Sequence, residues 1–422
     1  MDTTRRRFVG MVGLAAAGVS TPAATPTARA AANAAGADMP AGGVAGGVRA
    51  AFDFPDDRVP MNAANLCPSP RSVAAAVTQH THRIDLDCSF QNRAQFAELL
   101  EQSRRAVAEP LGVDADEIAL VRNTSEANNI INAGLELGAG DEVVLWDQNH
   151  PTNNVAWDVR AARYGIRVRR VTVTEDPRSH DALLEPFRRA IGPRTRVLSV
   201  THVSNISGIR LPIVELGELC RQHGIHFHVD GAQSWGAFDL DLKHVDCDSF
   251  SASAHKWFMG PKEVGLLYVR SDAIERIWPA VVAPGWGDDA ATDLVGARKF
   301  ESLGQRDDAA LAAVAEAATL HAREGTVQVE GHMMALAQQL KAGLVEVGAT
   351  LVTPMDARFS GGVCIVRAEG PQRRELWDRL YREHGIIGAP TGGLRLCPHL
   401  YNTAEHVDRA IAGVSALRAL LA

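Results

Sequence analysis

Seven short runs rich in β-branched and other apolar residues recur between residues 117 and 270, separated by segments with helical periodicity. They are EIALVRN, DEVVLWD, RVRRVTV, TRVLSVTHV, HFHVDG, CDSFSASAHK and VGLLYVR. Parallel strands that are covered on both faces have nearly continuous apolar sequences, and each needs a crossover, usually a helix, to reach the next strand. The alternation therefore predicts an α/β fold with a largely parallel sheet between layers of helices.

The pattern changes after about residue 281. Pro284 and Gly285 indicate a linker, an Ala-rich helical stretch runs from Asp307 to Ala322, and helices then mix with strands such as GGVCIVRA. This predicts a large domain over 49–282 and a smaller α+β domain over 283–422. The amino-terminal segment of the large domain could also pack on the small domain.

The amino terminus resembles a twin-arginine export signal. Arg5 and Arg6 precede a mild apolar stretch from Val9 to Ala28, and ARA over 28–30 looks like a cleavage site. The stretch contains two prolines and is a poor membrane helix. We expect a signal peptide over 1–30, a flexible Ala- and Gly-rich linker over 31–48, and no membrane span after cleavage.

Composition and cysteine spacing exclude some classes of protein. The 422 residues carry a formal net charge of −7 with the acidic residues dispersed, so nucleic acid is not an expected partner. The six cysteines lie far apart without a CxxC pair, which gives no support for a metal site. We expect buried free thiols rather than disulfides.

The run SASAHKWFMGPK, with Lys256 at its centre, follows HVDGAQSWG, which contains Asp230 and Gln233. Together they resemble the class V aminotransferase and cysteine desulfurase superfamily of enzymes dependent on pyridoxal 5′-phosphate (PLP). The resemblance covers about Phe52 to the end, and RNTSEA is similar to the isopenicillin N epimerase-like branch. It implies fold type I with a seven-stranded sheet, Lys256 in a Schiff base with the cofactor, and Asp230 against the pyridine nitrogen.

The resemblance also implies where the phosphate binds. RNTSE follows a predicted strand and opens a helix, and a helix amino terminus attracts phosphate through its free N–H groups and dipole. Without the resemblance, this segment is equally well an ordinary N-cap. The expected phosphate ligands are Thr124, Ser125 and Glu126, with Ser253 and His255 from the lysine motif.

The remaining candidates contact the cofactor ring or the substrate. By resemblance, His150 stacks on the ring and passes protons, and Asn205 and Gln233 bond the phenolic oxygen. Arg395, in GGLRLCPHLYNT, corresponds to the arginine that receives a substrate carboxylate. By resemblance, Gln305 is also a cofactor-binding candidate. It stands where the family often has a threonine that contacts the phosphate of the neighbouring subunit; glutamine could still bond a phosphate oxygen, but the replacement puts the cross-subunit contact in doubt.

The desulfurase branches carry a nucleophilic cysteine on a loop, and REHGIIGAPTGGLR contains none, so persulfide chemistry is disfavoured. The catalytic candidates are Lys256, Asp230 and His150, acting through an external aldimine at Cα of an amino acid or peptide-like metabolite. Transamination or a related amino-group modification is the first expectation. The alternatives are epimerization, carbon–sulfur lysis without a persulfide cysteine, and a non-catalytic PLP-binding protein.

The resemblance further implies a homodimer, and the signal implies a periplasmic or secreted enzyme delivered by the twin-arginine machinery.

Overall fold

The computed structural model describes residues 48–283 and 295–421, all within one compact unit. The expected signal peptide, the linker up to residue 47, and Pro284 with Gly285 lie outside the described residues. No described helix is long and apolar enough to cross a membrane. The boundary between a large and a small domain stays a prediction.

All seven apolar runs form strands of one sheet, in the order β2-β8-β7-β6-β5-β3-β4. The strands of the described chain are β1 (Val59–Pro60), β2 (Ile118–Val121), β3 (Glu142–Trp146), β4 (Arg167–Val171), β5 (Thr195–Thr201), β6 (His226–Asp230), β7 (Ser249–Ser253), β8 (Gly265–Val269), β9 (Cys364–Val366), β10 (Ile386–Ile387) and β11 (Leu394–Leu396). Only β8 runs antiparallel to its two neighbours. The predicted α/β fold with a mainly parallel seven-stranded sheet is confirmed.

Helices connect these strands and cover both faces of the sheet. They are α1 (Arg71–Leu86), α2 (Phe90–Arg93), α3 (Gln95–Ala108), α4 (Thr124–Gly134), α5 (Pro151–Tyr164), α6 (His180–Ala190), α7 (Ile213–His223), α8 (Leu242–Val245), α9 (Ser271–Ile274), α10 (Asp308–Ala312), α11 (Val314–Glu324), α12 (Thr326–Glu346), α13 (Gly370–His384) and α14 (Ala404–Ala416). Alternate residues of β2, β3 and β5 enter two different apolar cores. Leu120, Val144 and Leu198 belong to one, and Val121, Val143 and Val197 to the other.

A third apolar core lies among the carboxyl-terminal elements. It contains residues of α12, α13 and α14 together with the antiparallel pair β9 and β11. Strand β1 joins this core from the amino-terminal side, because Val59 and Pro60 pair with Ile386 and Ile387 of β10. This core holds the strand that carries Arg395.

The helix predicted from Asp307 to Ala322 is two helices, α10 and α11, which break at Ala313. The cause is a side chain from α3. The Ser103 hydroxyl donates to the Ala312 carbonyl at 2.9 Å and accepts from the Ala315 N–H at 3.3 Å, so it interrupts the helical ladder.

The expectation of buried thiols is wrong for one cysteine. Cys88, between α1 and α2, is exposed, whereas the other five are buried, and all six are free. Burial raises the pKa of Cys67 and Cys364 to about 12. These two thiols are therefore poor nucleophiles.

Candidate active site

Most of the predicted site residues follow the carboxyl ends of strands at one edge of the sheet. His150 follows β3, Asn205 follows β5, Asp230 ends β6 and Lys256 follows β7. These strands are parallel, so their carboxyl ends meet at the same edge. Strand β2 runs in the same direction and leads into Thr124 at the start of α4.

The amino terminus of α4 is joined directly to the lysine motif. The Ser253 hydroxyl accepts from the Thr124 N–H at 2.8 Å and lies 2.6 Å from the Thr124 hydroxyl. The Asn123 side chain caps the helix by accepting from the Glu126 N–H at 3.0 Å. Within the described chain, the Ser125 N–H and hydroxyl have no hydrogen-bond partner. Three hydroxyls, those of Thr124, Ser125 and Ser253, and the free Ser125 N–H therefore meet at the positive end of a helix, which suits a phosphate.

Glu126 belongs to the first turn of this helix, and His255 follows Ser253 by two residues. The Glu126 carboxylate accepts from the Arg122 N–H at 2.7 Å and pairs with its guanidinium at 3.0 Å. Because this side chain is occupied by Arg122 and the Glu126 N–H by Asn123, the structure shows no free donor of Glu126 for a phosphate, and contact of Glu126 with the cofactor stays a prediction. Burial, helped by Lys256 and Lys262, lowers the pKa of His255 to about 4, so this imidazole is neutral at pH 7.

Asp230 is the buried carboxylate of the site, with 1% of its surface exposed. Its Oδ1 accepts from the Ala232 N–H at 3.0 Å and its Oδ2 from the Asn128 amide at 2.9 Å. It forms no salt bridge within the described chain. The following residue must be glycine, because a Cβ at Gly231 would lie 1.8 Å from the Phe250 ring.

Lys256 lies in a tight turn directly after β7. The turn closes through the Met259 N–H, which donates to the Lys256 carbonyl at 2.9 Å, and Met259 takes the left-handed φ of 56°. Such strain is found at functional sites. Burial lowers the pKa of the Lys256 amine to about 8, an effect that Asp230 opposes and Arg395 reinforces. A substantial fraction of this amine is therefore neutral near pH 8.

His150 is the N-cap of α5, and its Nδ1 lies 2.8 Å from the Thr152 hydroxyl. Burial lowers its pKa; Lys256 and Arg395 lower it further, and Asp230 opposes them. The charges of Lys256, Asp230 and Arg395 thus act on the His150 imidazole.

Arg395 reaches the site from β11. It is 4% exposed, and its guanidinium donates to the Asn205 carbonyl at 3.1 Å. Its Nε has no partner, and no carboxylate pairs with it in the described chain. The Asn205 side chain likewise forms no hydrogen bond there. A buried, unpaired guanidinium requires an anion, which the substrate carboxylate would supply.

Two candidates have contacts that the sequence did not indicate. The Gln233 amide donates to the Ala64 carbonyl at 3.0 Å and accepts from the Trp257 indole at 2.7 Å. Gln305 is exposed, donates to the Arg306 carbonyl at 2.8 Å, and is bonded to no other candidate. Contact of either with the cofactor stays a prediction.

Asn128 was missed, although it bonds Asp230. Sequence reasoning took ANNIINAGLEL as an ordinary helix. A usable signal was the alternation in HFHVD and SFSAS, which places polar residues on one face of two buried strands.

The site fits the cofactor that the sequence implies. Asp230 is a buried carboxylate without a cation partner among the described residues and suits a protonated pyridine nitrogen, and the start of α4 suits a phosphate. The Lys256 amine has no hydrogen-bond partner in the described chain, as an amine that bonds an aldehyde requires. No group of described residues could hold a metal ion.

Comparison with protein families gives a match to the model described as aminotransferase class-V, over residues 72–409. Isopenicillin N epimerase of Streptomyces clavuligerus is 31% identical over 85% of this chain and 94% of its own. The enzyme of the same name from Amycolatopsis lactamdurans is 32% identical over 83% of this chain and 92% of its own.

Solved structures share the fold. A C-DES mutant with glycine covalently linked to the PLP cofactor superimposes with a TM-score of 0.80 at 24% identity, covering 87% of this chain and 98% of its own. With the family match, this identifies the cofactor as pyridoxal 5′-phosphate.

Proposed function

Because the chain belongs to the aminotransferase class-V family, we propose that it moves the Cα proton of an amino acid or peptide-like substrate and releases the epimer. The observation that carries the proposal is Arg395, a buried guanidinium beside Lys256 and Asp230 that has no carboxylate partner in the part of the chain that the structure describes. This arrangement suits a substrate with a free α-carboxylate next to the reacting carbon.

Bound PLP supplies an electron sink that stabilises the negative charge left on Cα when one of its bonds breaks. Thr124, Ser125, Ser253 and His255 would hold its phosphate. Asp230 would hold its ring nitrogen. The aldehyde would meet the Lys256 amine.

The chain's own residues supply the proton transfer. The Lys256 amine, with a pKa lowered to about 8, can accept a proton from Cα near neutral pH. Arg395 fixes the carboxylate and with it the direction of the Cα–H bond. His150, whose pKa is lowered by burial and by Lys256, is a second proton carrier, because its protonated form readily gives up a proton.

Two proton carriers favour epimerization, since one group removes the Cα proton and another returns a proton to the opposite side. Similarity to isopenicillin N epimerases over 94% and 92% of their lengths supports the same choice. Transamination is the second candidate, supported by the family match and by the first expectation from the sequence. It begins with the same proton removal.

Persulfide chemistry is not part of the proposal. Among the described cysteines, Cys364 and Cys397 lie nearest the arginine motif in sequence, and both are buried. Burial raises the pKa of Cys364 to about 12 and also raises that of Cys397.

Deuterated water distinguishes the outcomes. Holoenzyme is incubated with a pool of amino acids and short peptides, and the products are followed by mass and by chiral chromatography. A substrate of inverted configuration that carries deuterium at Cα supports epimerization. A keto product supports transamination, and a released fragment supports lysis. Absence of exchange at Cα in every substrate contradicts the proposal.

We also propose that the enzyme is exported through the twin-arginine pathway and works as a homodimer in the periplasm or outside the cell. Changing Arg5 and Arg6 to lysine should retain the protein in the cytoplasm, and continued export would contradict the signal.

For the homodimer, light scattering should give twice the mass of one chain. A monomer would contradict the dimer and the cross-subunit contact of Gln305.

A further inference from the structure

A stripe of polar residues crosses one buried face of the central sheet. Side chains alternate between faces along a strand, so His228 and Asp230 of β6 lie on the same face as Ser249 and Ser251 of β7. These four residues are almost completely buried. On the same side of the sheet, β3, β5 and β8 contribute apolar residues to a core. Buried polar groups are costly unless they are bonded, so the stripe requires a specific network.

Asn128 of α4 joins this stripe to Asp230. Its amide nitrogen donates to Asp230 Oδ2 at 2.9 Å. Its oxygen accepts from Ser251 Oγ at 2.5 Å and lies 2.9 Å from His228 Nε2. An ionised carboxylate can only accept hydrogen bonds, so the amide nitrogen must face Asp230 and the oxygen must face the other two groups.

The same reasoning fixes the protons further along the stripe. His228 Nε2 must carry a hydrogen to donate to the Asn128 oxygen. Burial lowers the pKa of His228 to about 3, so the imidazole is neutral and its Nδ1 accepts from the Ser249 hydroxyl at 2.8 Å. Ser249 Oγ then accepts from His226 Nε2 at 2.9 Å. The donor and the acceptor of every hydrogen bond in this series are therefore determined. All of these bonds are consistent with an Asn128 side chain whose amide nitrogen donates to Asp230.

We propose that Asn128 is a positioning residue that orients Asp230 and stabilises its negative charge towards the cofactor ring nitrogen. His228 and Ser251 hold the Asn128 amide in the required orientation. The inference rests on the identity of the cofactor and is independent of whether the product is an epimer or a keto acid. His150, Lys256 and Arg395 are the other charged or titratable groups that influence this site.

Asn128→Leu keeps the size of the side chain and removes its donor. Loss of a hydrogen bond to a charged group should weaken PLP binding by the apoenzyme about ten- to a hundredfold. A less stabilised carboxylate competes better for the ring proton, so the ¹⁵N signal of ring-labelled PLP should move towards the unprotonated value. Neither readout depends on turnover.

Asn132→Leu is the matched control. Asn132 lies one turn later in α4, is also buried, and donates to Asn153 at 3.2 Å rather than to Asp230. It should keep the parent ¹⁵N signal and PLP affinity even if its thermal stability falls. A parent-like signal and affinity in Asn128→Leu would overturn the proposal.

Ser251→Ala decides the question if Asn128→Leu does not fold. It removes one of the two donors that hold the Asn128 oxygen, so the ¹⁵N signal should move in the same direction by a smaller amount. An unchanged signal in Ser251→Ala would then overturn the proposal.

Discussion

Two lysines in this protein, Lys256, which is partly buried, and Lys341, which is fully buried, have amines of similar acidity and different surroundings. Burial lowers the pKa of both Lys256, after β7, and Lys341, in α12, to about 8. The Lys341 amine is completely bonded, because it donates to the Pro354 and Met355 carbonyls at 3.1 and 3.2 Å and to the Ser360 hydroxyl at 2.8 Å. The Lys256 amine has no hydrogen-bond partner in the described chain.

Two buried arginines differ in the same way. Neither forms a salt bridge in the described chain, and burial lowers the pKa of each. Both terminal nitrogens of Arg160 donate to carbonyls near the end of α4, those of Asn132 and Leu135. Among the described residues, Arg395 donates only to the Asn205 carbonyl. Protein groups thus bond the Lys341 amine and both terminal nitrogens of Arg160, although the Arg160 Nε has no partner in the described chain. The Lys256 amine and most of the Arg395 guanidinium are left for a cofactor and a substrate.

Replacing each lysine in turn tests this contrast, and the largest effect is expected on the rate of Cα proton exchange. Lys256→Ala should lower Cα proton exchange in deuterated water by about 10²–10⁴-fold, because it removes the proton acceptor. Lys341→Met should keep the parent exchange rate and lower the free energy of unfolding by about 1–3 kcal/mol, since its acceptors lose a donor. The reverse pattern would contradict the roles given to the two amines.

Replacing the two arginines should likewise affect substrate binding in one case and fold stability in the other. Arg395→Ala should weaken substrate binding by about 2–5 kcal/mol, because a buried charge pair is lost, while PLP stays bound. Arg160→Met should destabilise the fold and leave KM unchanged. Titration calorimetry and steady-state kinetics measure these effects. Loss of PLP from Arg395→Ala would show that this residue is misassigned.

The pH dependence of cofactor attachment tests the acidity of Lys256. Only the neutral amine attacks the aldehyde, and its fraction falls about tenfold for each pH unit below the pKa. The attachment rate, followed by absorbance after apoenzyme is mixed with PLP, should rise with pH and level off near 8. Lys341→Met should give the same profile. A rate that still rises steeply above pH 9 would contradict the lowered pKa.

The smallest effect is expected on the pH dependence of the free energy of unfolding. Each lysine has a lower pKa in the folded protein, about 8, than its ordinary value of 10.5. Between these values the unfolded chain binds more protons, so these groups make the apoenzyme more stable as pH rises. Lys341→Met should reduce the rise in unfolding free energy between about pH 8 and 10 relative to the parent. Identical slopes would contradict the prediction.

Much of the sheet could be predicted because its strands are short continuous apolar runs, a signal that is local in sequence. The break at Ala313 could not, because it depends on Ser103, about two hundred residues earlier in the chain. The exposure of Cys88 also depends on how α1 and α2 pack. Local sequence gives no information on such contacts.

The candidate site shows the same division. Lys256, Asp230 and Arg395 were found from motifs that resemble a family, and the structure brings them together at one edge of the sheet. The contacts of Gln233 with Ala64 and Trp257, and of Asn128 with Asp230, join segments that are far apart in sequence. These contacts distinguish a satisfied polar group from a free one, and the sequence alone does not contain them.

Borohydride reduction of the holoenzyme, followed by peptide mass spectrometry, tests the central claim most directly. Reduction makes the bond between cofactor and lysine permanent, so the modified peptide identifies the amine that the protein leaves free. We predict that the cofactor mass appears on the peptide containing Lys256, is absent from the peptide containing Lys341, and is lost in Lys256→Ala. Cofactor mass on another lysine of the parent, or an unchanged adduct in Lys256→Ala, would contradict the account.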